Sequence, residues 1–246
     1  LMKASAAGVL AQAMPAGFGA AFARNKPVRI GVLAPLSGVY ASLGTNKVNG
    51  IRMFFEEQDM KIGGRPVELI VEDTEAKPQE GLRKARKLVE QDNADVLLGV
   101  ISSAIGLGLK DYVARAKRVW VTTGAAADGI FKKSNNNPYA FRASLSVWQA
   151  NNPLGTWLSD KKFERYFVAG PDYAMGREAV EAFRGPFEVE GAKKVGEAFV
   201  PLGTSDFAAY LAEIKKLGPD LVYASFAGSD AVRFVQQYAA FGLKEK

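Results

Sequence analysis

The 246-residue sequence contains neither cysteine nor histidine. Without cysteine there is no disulfide framework, no thiol nucleophile and no thiolate metal site. Without histidine the commonest general base and metal ligand are gone, and with them every Ser-His or Cys-His pair. Any chemistry would fall to carboxylates, Lys, Tyr or a cofactor, so the composition leans towards binding. A run apolar enough to stay in a bilayer is also lacking. The one long uncharged stretch, Ala4 to Ala23, is diluted by Ser5, Gln12, Pro15, Gly17 and Gly19. The remainder is ordinary for a globular chain, at 48% hydrophobic and 24% charged, which argues against a disordered or collagenous protein. At roughly 150 residues per domain, the length predicts one to two domains.

Residues 1–23 read as a segment apart from the fold. Lys3 precedes the uncharged run, and Ala21-Phe22-Ala23 closes it with the small-x-small pattern of a signal-peptidase site. A partial secretory signal peptide is the expectation, with an Ala-rich linker as the alternative. Leu1-Met2-Lys3 resembles the tail of a twin-arginine export motif. Export predicts a mature chain from about Arg24 and a periplasmic location.

The formal net charge is +6. The basic residues come as separated pairs, such as Lys161-Lys162 and Lys215-Lys216, and the densest group is Arg83, Lys84, Arg86 and Lys87. That group shares a predicted helix with an apolar stripe of Leu82, Ala85, Leu88 and Val89, and so reads as a solvated face. No aromatic residues are interleaved to stack on bases, and no nucleic-acid partner is expected. A net positive field mildly favours an anionic small ligand.

From Val28 onward the pattern alternates. Strands are predicted at 28–33, 66–72, 94–100 and 119–122, separated by helices at 43–58, 77–92 and 105–116. After Asn135-Asn136-Asn137-Pro138, a natural break, helices at 147–159, 175–190, 206–217 and 229–241 alternate with strands at 163–169, 194–200 and 220–224. Strand–helix alternation at this spacing predicts parallel sheets built from βαβ crossovers. The run is too long for one sheet. Two α/β lobes are expected, an N-terminal one over 24–140 and a second, truncated one over 141–246.

Ligands of open α/β sheets sit beyond the carboxyl ends of the strands. The loops there are 34–44, 99–104 and 121–128 in the first lobe, and 170–176 and 224–230 in the second. They are rich in small and hydroxyl residues that lead into helix N-termini, where backbone N–H groups and hydroxyls suit a carboxylate. Taken singly, each reads as an ordinary helix cap; several at one edge favour a site.

The order of these segments resembles the type I periplasmic substrate-binding proteins of ABC transporters, in the branched-chain amino acid (Leu/Ile/Val-binding) branch. The matching pieces are Ile30-Gly31-Val32 to Ser37-Gly38, Ala41, Gly44 and Gly50, then Asp73-Thr74 with Pro78, and Gly99 to Ser103. Asp172-Tyr173-Ala174-Met175-Gly176, Asp206-Phe207 and Asp220-Leu221-Val222-Tyr223 complete the set. The resemblance implies two Rossmann-like lobes with parallel sheets flanked by helices, and a ligand held between them by hinge closure. It also implies a return of the chain to both lobes, for which this sequence has no counterpart. A C-terminally incomplete fold with unpaired strand edges is therefore expected.

Carried over position by position, the resemblance makes Ser103 the serine that meets a ligand carboxylate, with Ser102 beside it. Gly124, Ala125 and Ala126 then supply backbone contacts, Ala126 having lost a hydroxyl. Leu43 stands where an aromatic residue can wall the pocket. Met175 and Ala227 stand where amino-acid binders have tyrosines, with Tyr173 and Phe226 close enough to substitute. The smaller, less polar set makes room for an aromatic or other organic acid, with a branched-chain amino acid as the second candidate. The implied partners are that small molecule and an ABC transporter membrane permease. No cofactor, metal or catalytic residue is expected. Two other classes remain: a ligand-sensing receptor domain of the same fold, and an enzyme assembled from Ser103, Lys110, Tyr173 and Asp172. The enzyme lacks any Gly-x-Ser-x-Gly elbow, Walker loop or Gly-x-Gly-x-x-Gly to support it.

Overall fold

Val28–Ala34, a run of apolar and β-branched residues, forms β1, and its last five positions are buried. In this computed structural model, which describes residues 26–132, 137–189 and 191–244, parallel strands hold β1 on both sides. The expected signal peptide lies outside the described residues. The neighbours are β3 (Arg65–Asp73), with Val28 opposite Val67, and β4 (Val96–Gly99), with Ile30 opposite Val96. Outside β4 run β5 (Val119–Thr122) and β6 (Ala140–Arg142), and β2 (Lys61–Ile62) pairs antiparallel with β3. The sheet order is β2-β3-β1-β4-β5-β6.

Neither β2 nor β6 is visible as a hydrophobic run. β2 is one arm of a tight hairpin turned by Gly63 and Gly64, both at positive φ, and is too short to show alternation. β6 is recruited by its pairing with β5. It straddles the 140/141 boundary expected between the lobes, and the chain leaves the first sheet after Arg142.

Helices cover both faces of this sheet, as parallel sheets require. On one side α1 (Ala41–Glu56) turns Val48 and Phe55 onto Ile30, Val32 and Val67. On the other, α2 (Pro78–Arg86) and α3 (Ser103–Ala116) bury Ala85, Ile105, Leu109 and Val113 against Leu33, Leu97 and Trp120. The helix expected over 77–92 changes character at its end, where Lys87–Gln91 winds as a π-helical turn.

The second sheet is smaller. β7 (Arg165–Pro171) lies between β8 (Lys193–Val200) and β9 (Leu221–Ala224), all parallel. Ser146 and Gln149 form a reciprocal capping box at the start of α4 (Val147–Ser159). α4 packs closely on α5 (Ala174–Val189): a methyl group at Gly155 would lie 2.1 Å from the Phe183 carbonyl oxygen. Below them Phe183 stacks on Tyr223 with ring centroids 4.1 Å apart and on Phe187 at 5.4 Å, edged by Tyr166. On the opposite face α6 (Ala208–Leu217) and α7 (Gly228–Ala240) enclose Phe167, Phe207, Leu211 and Phe234. Among the described residues no helix is long and apolar enough to cross a membrane.

Two acids at the end of β3 tie this frame together. Burial would raise the Glu72 carboxyl, but hydrogen bonds and charge from Lys84 and Lys87 outweigh it and hold the group below the ordinary glutamate range. At Asp73, burial is likewise outweighed, by the N–H groups of Glu75 and Leu36 and the Ser37 hydroxyl. Both folded-state pKa values lie below those of the unfolded chain. Their contribution is therefore fully present above the unfolded carboxylate range, about pH 4, and is lost as pH falls through the lower folded values. Denaturant melts between pH 7 and 3 should show stability falling on the acid side, and Glu72→Gln and Asp73→Asn should each make that fall shallower. A fall of unchanged steepness in both variants would remove these two acids as its cause.

Candidate functional site

In an open parallel sheet the ligand crevice opens where successive connections leave a strand pair in opposite directions. The chain runs from β1 to β3 on one side and returns to β4 on the other; it likewise runs from β7 to β8 and returns to β9. The two switch points are therefore β1/β4 and β7/β9. At their carboxyl ends lie residues 35–40, 100–103, 172–173 and 225–227, and most of the expected site residues fall in or next to these loops.

Ser102 and Ser103, both buried, open α3. Ser102 is the N-cap residue, yet its side chain makes no capping bond, which leaves the first N–H groups of this 14-residue helix uncapped by a side chain. Just before it, Val100 is held at φ 36. A β-branched residue in that region is strained backbone, of the kind that collects at ligand sites. Gly99 precedes it at φ 107, where a Cβ would lie 2.1 Å from the Leu33 carbonyl oxygen.

The loop after β5 folds against this corner. The Ala125 N–H donates to the Val100 carbonyl (3.0 Å) and to the Thr122 hydroxyl (3.0 Å). The Ala127 N–H donates to the Ser103 hydroxyl at 3.1 Å. Ser103 thus braces the loop through one lone pair, and among the described residues its O–H proton remains to be donated. The Gly124 N–H reaches Thr122 Oγ1 only at 3.5 Å, and no hydrogen bond from the Ala126 N–H occurs among the described residues. From α1, the Lys47 ammonium donates to the Thr123 carbonyl, and burial pulls its pKa down.

The second lobe meets the first here. Tyr173 and Tyr40 share a hydrogen bond, hydroxyl to hydroxyl, at 2.9 Å. Burial pushes the Tyr173 phenol upward, with Tyr40 and Asp230 adding to it. Tyr40 is also raised, first by burial, against the Tyr173 hydrogen bond. Both remain neutral hydroxyls able to donate at physiological pH. Asp230, buried in the first turn of α7, accepts from the Gly203 N–H at 2.8 Å and pairs with Arg233. Gly228, at φ 62, approaches so closely that a Cβ there would lie 2.2 Å from the Val39 carbonyl oxygen.

The remaining expected residues divide. Met175 is half-buried, its sulfur 4.0 Å from the Ser225 hydroxyl. Phe226 belongs to the second lobe's aromatic cluster, 4.9 Å from the Phe234 ring. Ala227 is the N-cap residue of α7. Leu43 is exposed in the first turn of α1. Cavities of about 330 and 560 Å³ open elsewhere, beside Trp148, between Asp128, Arg142 and Glu178, and none of the expected residues lines them.

Four residues bonded to these or neighbouring loops escaped the sequence reading. Tyr40 is the one aromatic residue in the loop after β1, and that was its only signal. Lys47 follows Leu43 at i+4, and Asp230 is an acid in a helix's first turn. Glu178, on α5, had no signal: its carboxylate accepts from the Asp128 and Gly129 N–H groups of the first lobe, the latter at 3.2 Å. Among the described residues no cluster of acids is arranged to hold a metal ion.

A family model described as "periplasmic binding protein" matches residues 27–246. The chain belongs to this family. Among curated relatives of this periplasmic binding protein, the Leu/Ile/Val-binding protein homolog 6 of Brucella suis is 30% identical over 220 residues, covering 88% of this chain and 55% of the relative. The homologue of the same name in Brucella melitensis is 29% identical over 219 residues. The chain thus spans little more than half the length of the curated relatives it matches. Among solved structures, an ABC transporter solute-binding protein of R. palustris in complex with benzoate superimposes with a TM-score of 0.85 at 29% identity, over 89% of this chain and 60% of that one. A second R. palustris solute-binding protein, in complex with 4-hydroxybenzoate, gives 0.83 at 28% identity, over 89% and 60%. The relatives are substrate-binding proteins, and the expected α/β fold and Leu/Ile/Val-binding branch are those of this family.

Proposed function

We propose that this periplasmic binding protein is the exported solute-binding component of an ABC importer, and that it captures a small carboxylate ligand between its two lobes, the first ending after Arg142 and the second following it. The observation that carries the reading is the Tyr40–Tyr173 bond. It joins the loops at the carboxyl ends of β1 and β7, one in each lobe.

In this reading the carboxylate meets Ser102, Ser103 and the N–H groups of Gly124 and Ala126, with Ala125 holding the loop in place. Leu43, Tyr173, Met175, Phe226 and Ala227 enclose the apolar remainder. Closure needs no chemistry; the ligand favours the closed arrangement by binding it better, and a membrane permease reads that arrangement from the periplasmic side. Preference for an aromatic acid is supported by the small, weakly polar side chains at these positions and by the benzoate and 4-hydroxybenzoate complexes of structural relatives. The names of the curated relatives support a branched-chain amino acid as the second candidate.

Thermal-shift and calorimetric titrations of the chain with benzoate, 4-hydroxybenzoate, leucine, isoleucine and valine test the proposal. A ligand that binds only the native state at about 100 times its Kd stabilises by about 2.7 kcal/mol, which shifts the midpoint of a chain this size by roughly 5–10 °C. Shifts with the benzoates alone support the aromatic reading, and shifts with leucine alone replace it by the amino-acid one. Conversion of any of these compounds to product would return the enzyme class.

A further inference from the structure

We propose that Lys47 is the cation that pairs with the ligand carboxylate in the first lobe. The inference rests on the carboxylate reading above and names a residue of that site outside the loops. Lys47 lies one turn beyond Leu43 on α1, so the two share a helix face. Its ammonium reaches across to the loop after β5 and donates to the Thr123 carbonyl.

Three features of that corner suit an anion. First, the half-buried ammonium has no carboxylate within ion-pair distance among the described residues, and burial alone accounts for its lowered pKa. A partly buried cation without a counter-charge is costly unless a ligand supplies one. Second, the Thr123 hydroxyl oxygen beside it is buried with no hydrogen-bond partner. Third, the next N–H groups along the loop are weakly used: Gly124 bonds only at 3.5 Å, and none is made by Ala126 among the described residues. Ammonium, hydroxyl and amide are all donors, and two carboxylate oxygens are the acceptors they lack. An ammonium carries three protons, so Lys47 can keep the Thr123 carbonyl and still take a carboxylate oxygen.

A merely structural lysine would brace the β5 loop, and its loss would destabilise the protein whatever the ligand. The test is calorimetric titration of the full chain and its Lys47→Met and Lys47→Arg variants with benzoate and with benzamide, alongside ligand-free thermal melts. Methionine keeps the apolar stem and removes the charge. Lys47→Met should weaken benzoate at least about tenfold, leave benzamide within about twofold, and raise the ligand-free midpoint by about 3–6 °C, as removal of an uncompensated charge worth about tenfold in stability would. Lys47→Arg should recover part of the benzoate affinity.

Benzoate binding unchanged in Lys47→Met would overturn the inference and leave the carboxylate site standing on its loops. Equal losses for both probes with a lowered midpoint would also overturn it, in favour of the brace. If the wild-type chain bound benzamide as well as benzoate, or neither, the carboxylate reading would fail first and this inference with it. Should leucine prove the tighter ligand, leucine and leucinamide make the same comparison.

Discussion

Gly228→Ala is expected to weaken ligand binding by at least about 100-fold, equivalent to about 2.7 kcal/mol, while costing the ligand-free fold only about 1 kcal/mol. Gly228 opens α7 in the second lobe at φ 62, and the added Cβ would lie 2.2 Å from the Val39 carbonyl oxygen and 2.9 Å from Tyr40 Cδ1 in the first. The obstacle at Val39 is backbone, so no rotamer change relieves it. The second lobe can avoid it by backing away, which separates Tyr173 from Tyr40 and opens the site. Its own core, built on Phe167, Phe207 and Phe234, is untouched.

Gly242→Ala is the control. It sits at a similar φ of 69, with nothing within 4 Å of the added methyl, so it bears the same conformational cost without the collision. Calorimetric titration with benzoate should separate the two variants, and thermal melts should not. Equal affinities in Gly228→Ala and Gly242→Ala would show that lobe apposition at Val39 plays no part in binding.

The largest effect on stability is expected at Trp120. Its side chain is fully buried at the centre of the first lobe's core, stacked on Phe131 at 6.2 Å, and its indole N–H donates to the Gly99 carbonyl at 3.0 Å. Trp120→Ala opens a cavity costing about 3–5 kcal/mol and leaves the Gly99 carbonyl without that donor. A midpoint lowered by roughly 10 °C or more follows for a chain of this length. Trp120→Phe keeps most of the volume and loses the hydrogen bond, so it should fall between. The indole supports the turn that carries Val100, Ser102 and Ser103, so Trp120→Phe should also weaken benzoate binding. A Trp120→Ala midpoint within about 2 °C of wild type would mean that the core repacks around the missing ring.

The strand–helix alternation was legible because each strand and helix of the frame carries its own apolar period, and burial is what that period records. The helix expected at 147–159 spans those residues, and the capping box of Ser146 and Gln149 fixes its start locally. β2 and β6 were illegible because they exist by pairing rather than by pattern. The site divides in the same way. Residues in the loops after β1, β4, β5, β7 and β9 could be nominated because parallel sheets place those loops at one edge, and the family resemblance selected among them.

Sequence alone therefore determined the α/β class, the family and the set of loops from which a site could be drawn. Those depend on local periodicity and on short motifs that keep their order along the chain. Only the tertiary structure decided that the Ser103 hydroxyl accepts from Ala127, that Tyr40 faces Tyr173, and that Lys47 reaches Thr123 with no acid to meet it among the described residues. These are contacts between residues 24 to 133 positions apart. Their geometry is set by how two sheets twist and meet, and no period in a single strand or helix encodes it.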